Sequence, residues 1–190
     1  MYATLFDHIR KFVPLNSDEE TLLSSHLHHK TVTKKSHLLK GGQICTANYF
    51  VIKGCFRMYV VSEGGNEQII QFGIDNWWIT DYLSLDTQKP SQFYIQAVEP
   101  SEIVVLDRQI QDELFRQIPQ LERYFRMILQ RAYSASLMRI QYMFNLSGEA
   151  LYHQFSSSFP DFVQRVPQYM LASYLGFTPE FLSKIRAKKS

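Results

Sequence analysis

Four bases close the chain: Lys184, Arg186, Lys188 and Lys189 fall within its last fourteen residues against Glu180 alone, in a sequence whose formal net charge is only +2. Positive charge gathered on one short segment suits phosphate contacts, because each neutralised phosphate releases condensed counterions. A solvated, frayed end has the same composition, so the element that holds the bases must decide between the two. In "VPQYMLASYLGFTPEFLSKIRAKKS" (166–190), Met170, Leu171, Tyr174 and Leu175 form the buried side of a short helix, and Ala172 leaves room for another helix to cross it. Gly176 then permits positive φ at a turn. Thr178 can cap the next helix, Pro179 suits its first position, and Phe181, Leu182 and Ile185 supply an apolar stripe. The other face carries Glu180, Ser183, Lys184 and Arg186. This is a helix-turn-helix pattern, and a second helix over 178–188 fits the major groove, where Lys or Arg pairs with guanine and Glu with cytosine N4. Under that reading Glu180, Ser183 and Lys184 face base edges, while Thr178, Arg186, Lys188 and Lys189 hold phosphates. An ordinary αα-hairpin satisfies the same local pattern.

A second group of residues has the composition of a small-molecule site. Trp77, Trp78 and Tyr94 bring aromatic surface towards Thr80, Asp81, Ser91, Gln92 and, from a later helix, Ser136. Aromatics with a few polar groups suit a small organic ligand, although the two tryptophans equally suit the cap of a β domain. In "HLHHK" only His26 and His29 have a spacing that metal ligands on one helix face use, with no carboxylate or cysteine nearby in sequence, and an exposed helix end is expected there instead. Cys45 and Cys55 are too few for a disulfide framework and half the thiolates that an iron–sulfur cluster takes, so buried small hydrophobes are expected. The chain has no nucleophile elbow, P-loop, dinucleotide fingerprint or paired-His motif, and no enzyme is expected. The opening "MYATLFDHIRKFVPLN" is interrupted by Asp7, His8, Arg10 and Lys11, which argues against a spanning helix or a secretory segment and for a cytoplasmic protein without a membrane partner.

The elements that must position these residues follow from two changes of period. The chain's 190 residues are 45% hydrophobic and 20% charged, enough for one large or two small cores. Helical spacing over 2–12 and 17–27 predicts two N-terminal helices, the second with a capping box of Ser17 and Glu20. Between residues 31 and 108 the pattern is β: "YFVIKG", "CFRMYVV", "EQIIQFGI", "FYIQAV" and "EIVVLD" are short, branched or aromatic, and separated by turn signals. Gly54 divides two of them, and Glu63, Gly64, Gly65 and Asn66 make a hairpin turn. Such strands suggest a sandwich, barrel or jelly roll. Helical spacing returns after Arg108, with a long helix over 120–145 whose stripe is Leu121, Phe125, Ile128, Ala132, Ala135 and Tyr142, interrupted by Arg139. Its partner is either its own copy or the β domain. After a break at Ser147 and Gly148, a helix to about His153 or Phe155 and a loop "SSSFPDF" are expected.

The order of these parts, with "NYFVIKGCFRMYV" and "LASYLGFTPEFLSKIR", resembles the bacterial Crp/Fnr-type regulators, the family of the cyclic AMP receptor protein, over nearly the whole chain. The resemblance implies an α+β fold: an N-terminal cyclic-nucleotide-binding-like β-roll (jelly roll) with flanking helices over 1–118, a long dimerisation helix over 119–146, and a helix-turn-helix domain over 147–190. It also implies a homodimer that reads a roughly palindromic operator in double-stranded DNA, with RNA polymerase as a further partner. Nucleotide-binding members carry a Gly-Glu pair for the ribose and an Arg-Ser or Arg-Thr pair for the cyclic phosphate. Thr80 and Asp81 stand at the first position here, Ser91 and Gln92 at the second, and Lys89 falls two residues early in a turn. A buried phosphate without the arginine would forfeit charge-assisted hydrogen bonds of about 1.5–3 kcal/mol each. Cyclic AMP is therefore expected to bind weakly or not at all, and any effector is an unidentified small molecule. Typical members continue into a β-hairpin wing, whereas only Ala187 to Ser190 follow the second helix here, so modest affinity with strong salt dependence is expected. The alternative is a small-ligand sensor that acts through a protein partner and has lost DNA binding.

Overall fold

The computed structural model describes residues 2–187. The chain divides into two compact units, one running to Val60 and resuming from Gln71 to Leu129, the other formed by Val61–Ile70 and the chain from Gln130 onward. The first unit opens with α1 (Ala3–Arg10) and α2 (Ser17–Ser25). The capping box of α2 lies one residue earlier than the sequence suggests: Asn16 Oδ1 accepts from the Glu19 amide and Glu19 Oε2 accepts from the Asn16 amide, each at 2.9 Å. Asn16 holds the extended backbone that an N-cap needs, so Ser17 is already helical.

Strand structure begins earlier than expected as well. The "HLHHK" segment is no helix end; it enters β1 (Leu27–Val32), which pairs antiparallel with β8. The remaining strands are β2 (His37–Leu39), β3 (Ala47–Lys53), β4 (Cys55–Val61), β5 (Glu67–Ile74), β6 (Trp78–Ile79), β7 (Tyr94–Ala97) and β8 (Ser101–Asp107), with the short helix α3 (Tyr82–Thr87) between β6 and β7. They form two four-stranded sheets, ordered β1-β8-β3-β6 and β2-β7-β4-β5. Between the sheets lie Tyr49, Val51, Phe56, Met58, Ile79, Ile95 and Ile103. On the other face of the first sheet, Phe50, Val104 and Leu106 meet Leu5, Phe6 and Ile9 of α1, Leu23 of α2, and Leu114, Leu121, Tyr124 and Phe125 from later helices. The period of two explains the sequence: β3 carries the apolar run Tyr49, Phe50, Val51 and Ile52 because both of its faces are covered. The hairpin between β4 and β5 closes as expected, with the Ser62 amide on Asn66 O at 3.0 Å.

After β8 come α4 (Arg108–Gln117) and α5 (Gln120–Asn145), the latter with the bounds that periodicity gives. The second unit continues with α6 (Gly148–Ser158), α7 (Pro160–Arg165), α8 (Gln168–Leu175) and α9 (Pro179–Ala187). The break at Ser147 falls as expected and its side chain caps α6, but α6 runs through the three serines and α7 replaces the expected loop. Phe155 sits 5.2 Å from Phe159 and 6.0 Å from Phe162, ring to ring, and these contacts hold a segment whose serines favour a turn. Among the described residues no helix is long and apolar enough to cross a membrane.

Candidate functional site

In the first unit a buried polar knot forms where Thr80, Asp81 and Ser91 meet Ser84. Asp81, only 5% exposed, is the N-cap of α3: its Oδ1 accepts from the amides of Leu83 at 3.0 Å and Ser84 at 3.2 Å. Its other oxygen, Oδ2, accepts the Ser91 hydroxyl at 2.6 Å. Thr80 Oγ1 donates to Ala47 O at 2.9 Å, and Ser84 Oγ donates to Lys89 O at 2.6 Å while accepting the Cys45 amide at 2.9 Å. The chain's own carboxylate thus takes the α3 amides and the Ser91 hydroxyl. Lys89 and Gln92 are exposed.

The aromatic residues do not gather around this knot. Strand alternation sends Ile79 between the sheets and Trp78 to the opposite face, where its ring lies 5.3 Å from Phe50 and its indole N–H donates to Tyr124 Oη at 2.7 Å. Trp77 is 46% exposed. Tyr94 stacks on Tyr59 with centroids 5.1 Å apart. Ser136 lies in the second unit, and its hydroxyl donates back to Ala132 O of its own helix at 2.9 Å. Beside the inter-sheet core, burial pushes the Tyr49 phenol up to about 12, with Cys45 adding to the effect. His28 and His29 do have carboxylates nearby, across the strand pair: Asp107 lies 3.4 Å from His28 Nε2 and Glu102 3.5 Å from His29 Nε2. Among the described residues no group of three or more His, Cys, Asp or Glu could hold a metal ion. Cys45 and Cys55 are both buried, and neither forms a disulfide.

Arg57 carries a signal that sequence reasoning passed over, a lone base inside a strand run. It is only 6% exposed, it donates from Nε and Nη2 to Gln96 Oε1 at 2.9 and 2.7 Å, and it lies 4.2 Å over the Tyr59 ring. Gln96 stands directly opposite on β7. The pair is a cross-strand fastening on the outer face of its sheet.

In the second unit α8 ends at Gly176, whose left-handed backbone (φ 77°, ψ 25°) redirects the chain into α9. Thr178 Oγ1 accepts the Phe181 amide at 3.2 Å, the cap expected. Leu182 and Ile185 are buried, as are Met170, Leu171, Ala172 and Leu175 of α8. Phe181 was expected in that stripe but is 42% exposed, and lies edge-on to Phe177 at 5.2 Å. Thr178, Glu180, Ser183, Lys184 and Arg186 are all exposed, with Ser183 and Lys184 three and four residues after Glu180 and so beside it on the helix surface. Lys188 and Lys189 lie outside the described residues. Arg186 also borders a cavity of about 360 Å³ with Tyr152, Ser156, Val163 and Gln164.

The long helix α5 changes character along its length. Leu121 and Phe125 are buried as read, but Ala132 and Ala135 are exposed, and the apolar line of the second half is Leu129, Tyr133, Leu137, Ile140 and Phe144. Tyr133 is 66% and Phe144 84% exposed. These residues recur at steps of four, four, three and four and lie on a face different from that of Ala132 and Ala135. Arg139 stands apart from both lines. Its guanidinium lies 3.9 Å over the Tyr174 ring, and burial holds it below its ordinary value.

The sequence pattern of the cyclic nucleotide-binding domain matches residues 29–118. An anaerobic regulatory protein of Aggregatibacter actinomycetemcomitans is 24% identical over 185 residues, which cover 90% of this chain and 70% of the relative. Among solved structures, the c-di-GMP-responsive global regulator CLP of Xanthomonas campestris matches with a TM-score of 0.73 at 12% identity, covering 91% of each chain. The catabolite activator protein of Thermus thermophilus matches with a TM-score of 0.58 at 19% identity, over 93% of this chain and 84% of that one. Residues 29–118 thus match the cyclic nucleotide-binding domain, and in sequence and fold the whole chain resembles the Crp/Fnr-type regulators.

Proposed function

We propose that the chain is a DNA-binding transcription regulator that acts as a homodimer on a two-fold symmetric operator. The observation that carries this reading is α9: two buried side chains fix it to α8, a left-handed glycine sets its direction, and its remaining face presents Glu180, Ser183 and Lys184 to solvent with Arg186 beside them. The names of the relatives point the same way. The division into a β-roll over 1–118, a dimerisation helix over 119–146 and a helix-turn-helix domain over 147–190 belongs to this proposal. So do a cytoplasmic location, a role without catalysis, and RNA polymerase as a partner. The exposed apolar line of α5 supports the second copy. A stripe stepped by three and four residues is self-complementary across a two-fold axis, and large exposed apolar lines mark protein interfaces.

Selection of bound sequences from a random DNA pool by the purified protein, with its mass in solution recorded, tests the reading. A two-fold symmetric motif bound by a dimer is expected. Enrichment of nothing, at low or moderate salt, sinks it and favours a ligand sensor without DNA. Within a positive result, Lys184→Ala is expected to cost about 1–3 kcal/mol and to relax sequence preference at one base of each half-site. Changing Lys188 and Lys189 to alanine should weaken all sequences alike and flatten the dependence of binding on salt. Equal affinity of both variants and parent for the selected site would show that α9 is not the contacting element.

The roll is proposed not to respond to cyclic AMP. No arginine stands at the position that serves a cyclic phosphate: Ser91, which stands there, donates its hydroxyl to Asp81, and Gln92 is exposed. Calorimetry with cyclic AMP is expected to show no saturable binding in the micromolar range, and saturable binding there would overturn this.

A further inference from the structure

Within the second unit the last turn of α8 is held by main-chain bonds to one short segment. Ser173 Oγ donates to Glu67 O at 3.1 Å and accepts the Ile69 amide at 2.9 Å, and Gln68 Nε2 donates to Ser173 O. Arg139, reaching from α5, donates from Nη1 to Ile70 O at 2.5 Å and from Nη2 to Tyr174 O at 2.6 Å. Residues 67–70, α5 and α8 therefore meet at a single guanidinium, which also covers the Tyr174 ring. The Tyr174 carbonyl is one of those that a helix end leaves without an internal partner, and a cation there also answers the negative end of the helix dipole. Arg139 Nε is buried without a hydrogen-bond partner, so two prongs and the ring contact do the holding. Two residues beyond Tyr174 comes Gly176, the point at which the direction of α9 is set.

We propose that Arg139, with Ser173, is a positioning residue for α9: by pinning the end of α8 to residues 67–70 it fixes the angle at which α9 leaves the turn. The inference rests on the reading of α9 as the DNA-contacting helix, and it adds a residue that touches no DNA yet governs affinity. Loosening the clamp lets α9 sample several angles, and only the fraction in the right one binds, which lowers apparent affinity in proportion. The phosphates contacted in the bound state stay the same in number, so the salt dependence does not change.

The test uses the full chain and three variants. Arg139→Met keeps the stem, Arg139→Lys keeps the charge with a single prong, and Ser173→Ala removes the hydroxyl between Glu67 and Ile69. Amide exchange is measured without DNA, and affinity for the selected operator is measured at several salt concentrations. In Arg139→Met the amides of Ile69, Gly176 and Phe177 should exchange at least about tenfold faster, with α1 unchanged as the internal reference, and operator affinity should fall about tenfold or more at an unaltered salt slope. Arg139→Lys should recover part of both effects, and Ser173→Ala should reproduce the exchange effect at Ile69. Unchanged exchange at those amides in both Arg139→Met and Ser173→Ala overturns the clamp. A salt slope reduced by about one phosphate would instead make Arg139 a DNA contact, and also overturns it. If the parent selects no DNA sequence, the exchange arm still decides the clamp, so failure of the DNA reading is seen separately.

Discussion

Replacing Leu137 and Phe144 by aspartate is expected to turn a dimer into a monomer and to lower operator affinity by about three orders of magnitude or more. Both side chains are exposed on the single chain, Leu137 at 47% and Phe144 at 84%. Each buried apolar side chain of that size contributes about 1.5–3 kcal/mol, and a symmetric interface counts each twice. Two carboxylates per chain at the seam add the cost of burying unpaired charge. A monomer reaches one half-site only. Specific binding exceeds non-specific binding by about 10³ to 10⁷, and the loss of half the specific contacts erases most of that margin. Light scattering gives the mass, and titration of labelled operator gives the affinity. Far-UV circular dichroism should show the parent's helix and strand content in the variant, which separates lost association from unfolding. A variant that stays dimeric would place the interface elsewhere and leave the stripe of α5 without its proposed partner.

How far such surfaces could be read in advance depended on how many neighbours decide a residue's place. The five long β runs and the bounds of α5 were legible because each rests on a period repeated several times. Gly54 and Gly176 were legible because few residues other than glycine accept their backbone angles. The strands β1, β2 and β6 were not, since the histidines of β1 and the two-residue length of β6 carry no alternation, and their place is set by pairing with distant strands. Trp77 and Trp78 looked like one aromatic surface, yet only Trp78 enters β6, where it packs on Phe50, while Trp77 precedes the strand and is exposed. The carboxylate of Asp81 was legible as a departure from the nucleotide-binding pattern. Its role as the α3 cap was not, because that needs the amides of a helix six residues long. Arg139 was visible as a base that breaks an apolar stripe, and its partners at Ile70 and Tyr174 are separated from it by 69 and 35 residues. On α5 periodicity gives the spacing of an apolar face, and the first half, Leu121 and Phe125, is covered by the core of the first unit, whereas the second half is exposed on the single chain.

Gly54→Ala is expected to destabilise the first unit by about 3 kcal/mol or more, the largest effect of any single methyl group proposed for this chain. Two costs add. At φ +124° the residue occupies a region that side chains rarely adopt, worth about 1–3 kcal/mol by itself. A Cβ there would also stand 2.1 Å from Ser101 Oγ, 2.4 Å from Ser101 Cβ and 2.8 Å from Ser101 Cα. The hydroxyl can rotate away, but Ser101 Cα belongs to the backbone of β8, so β8 or the β3–β4 connection must move. Neither is free to do so: β8 is paired on both sides, with β1 and β3, and the Gly54 amide donates to Asp75 Oδ1 at 2.7 Å. The adjoining register of β3 on β8 is already irregular between Val51 and Lys53, which shows where the sheet bends to let the two backbones pass. Urea unfolding followed through the fluorescence of Trp78, which is packed against the core of this unit, reads the loss. Ser101→Gly in the same chain removes the clashes with Oγ and Cβ and should return part of the loss, while the 2.8 Å approach to the residue 101 Cα and the backbone cost remain. A loss below about 1 kcal/mol in Gly54→Ala alone would mean that β8 yields, and that the close crossing at Gly54 does not constrain the roll.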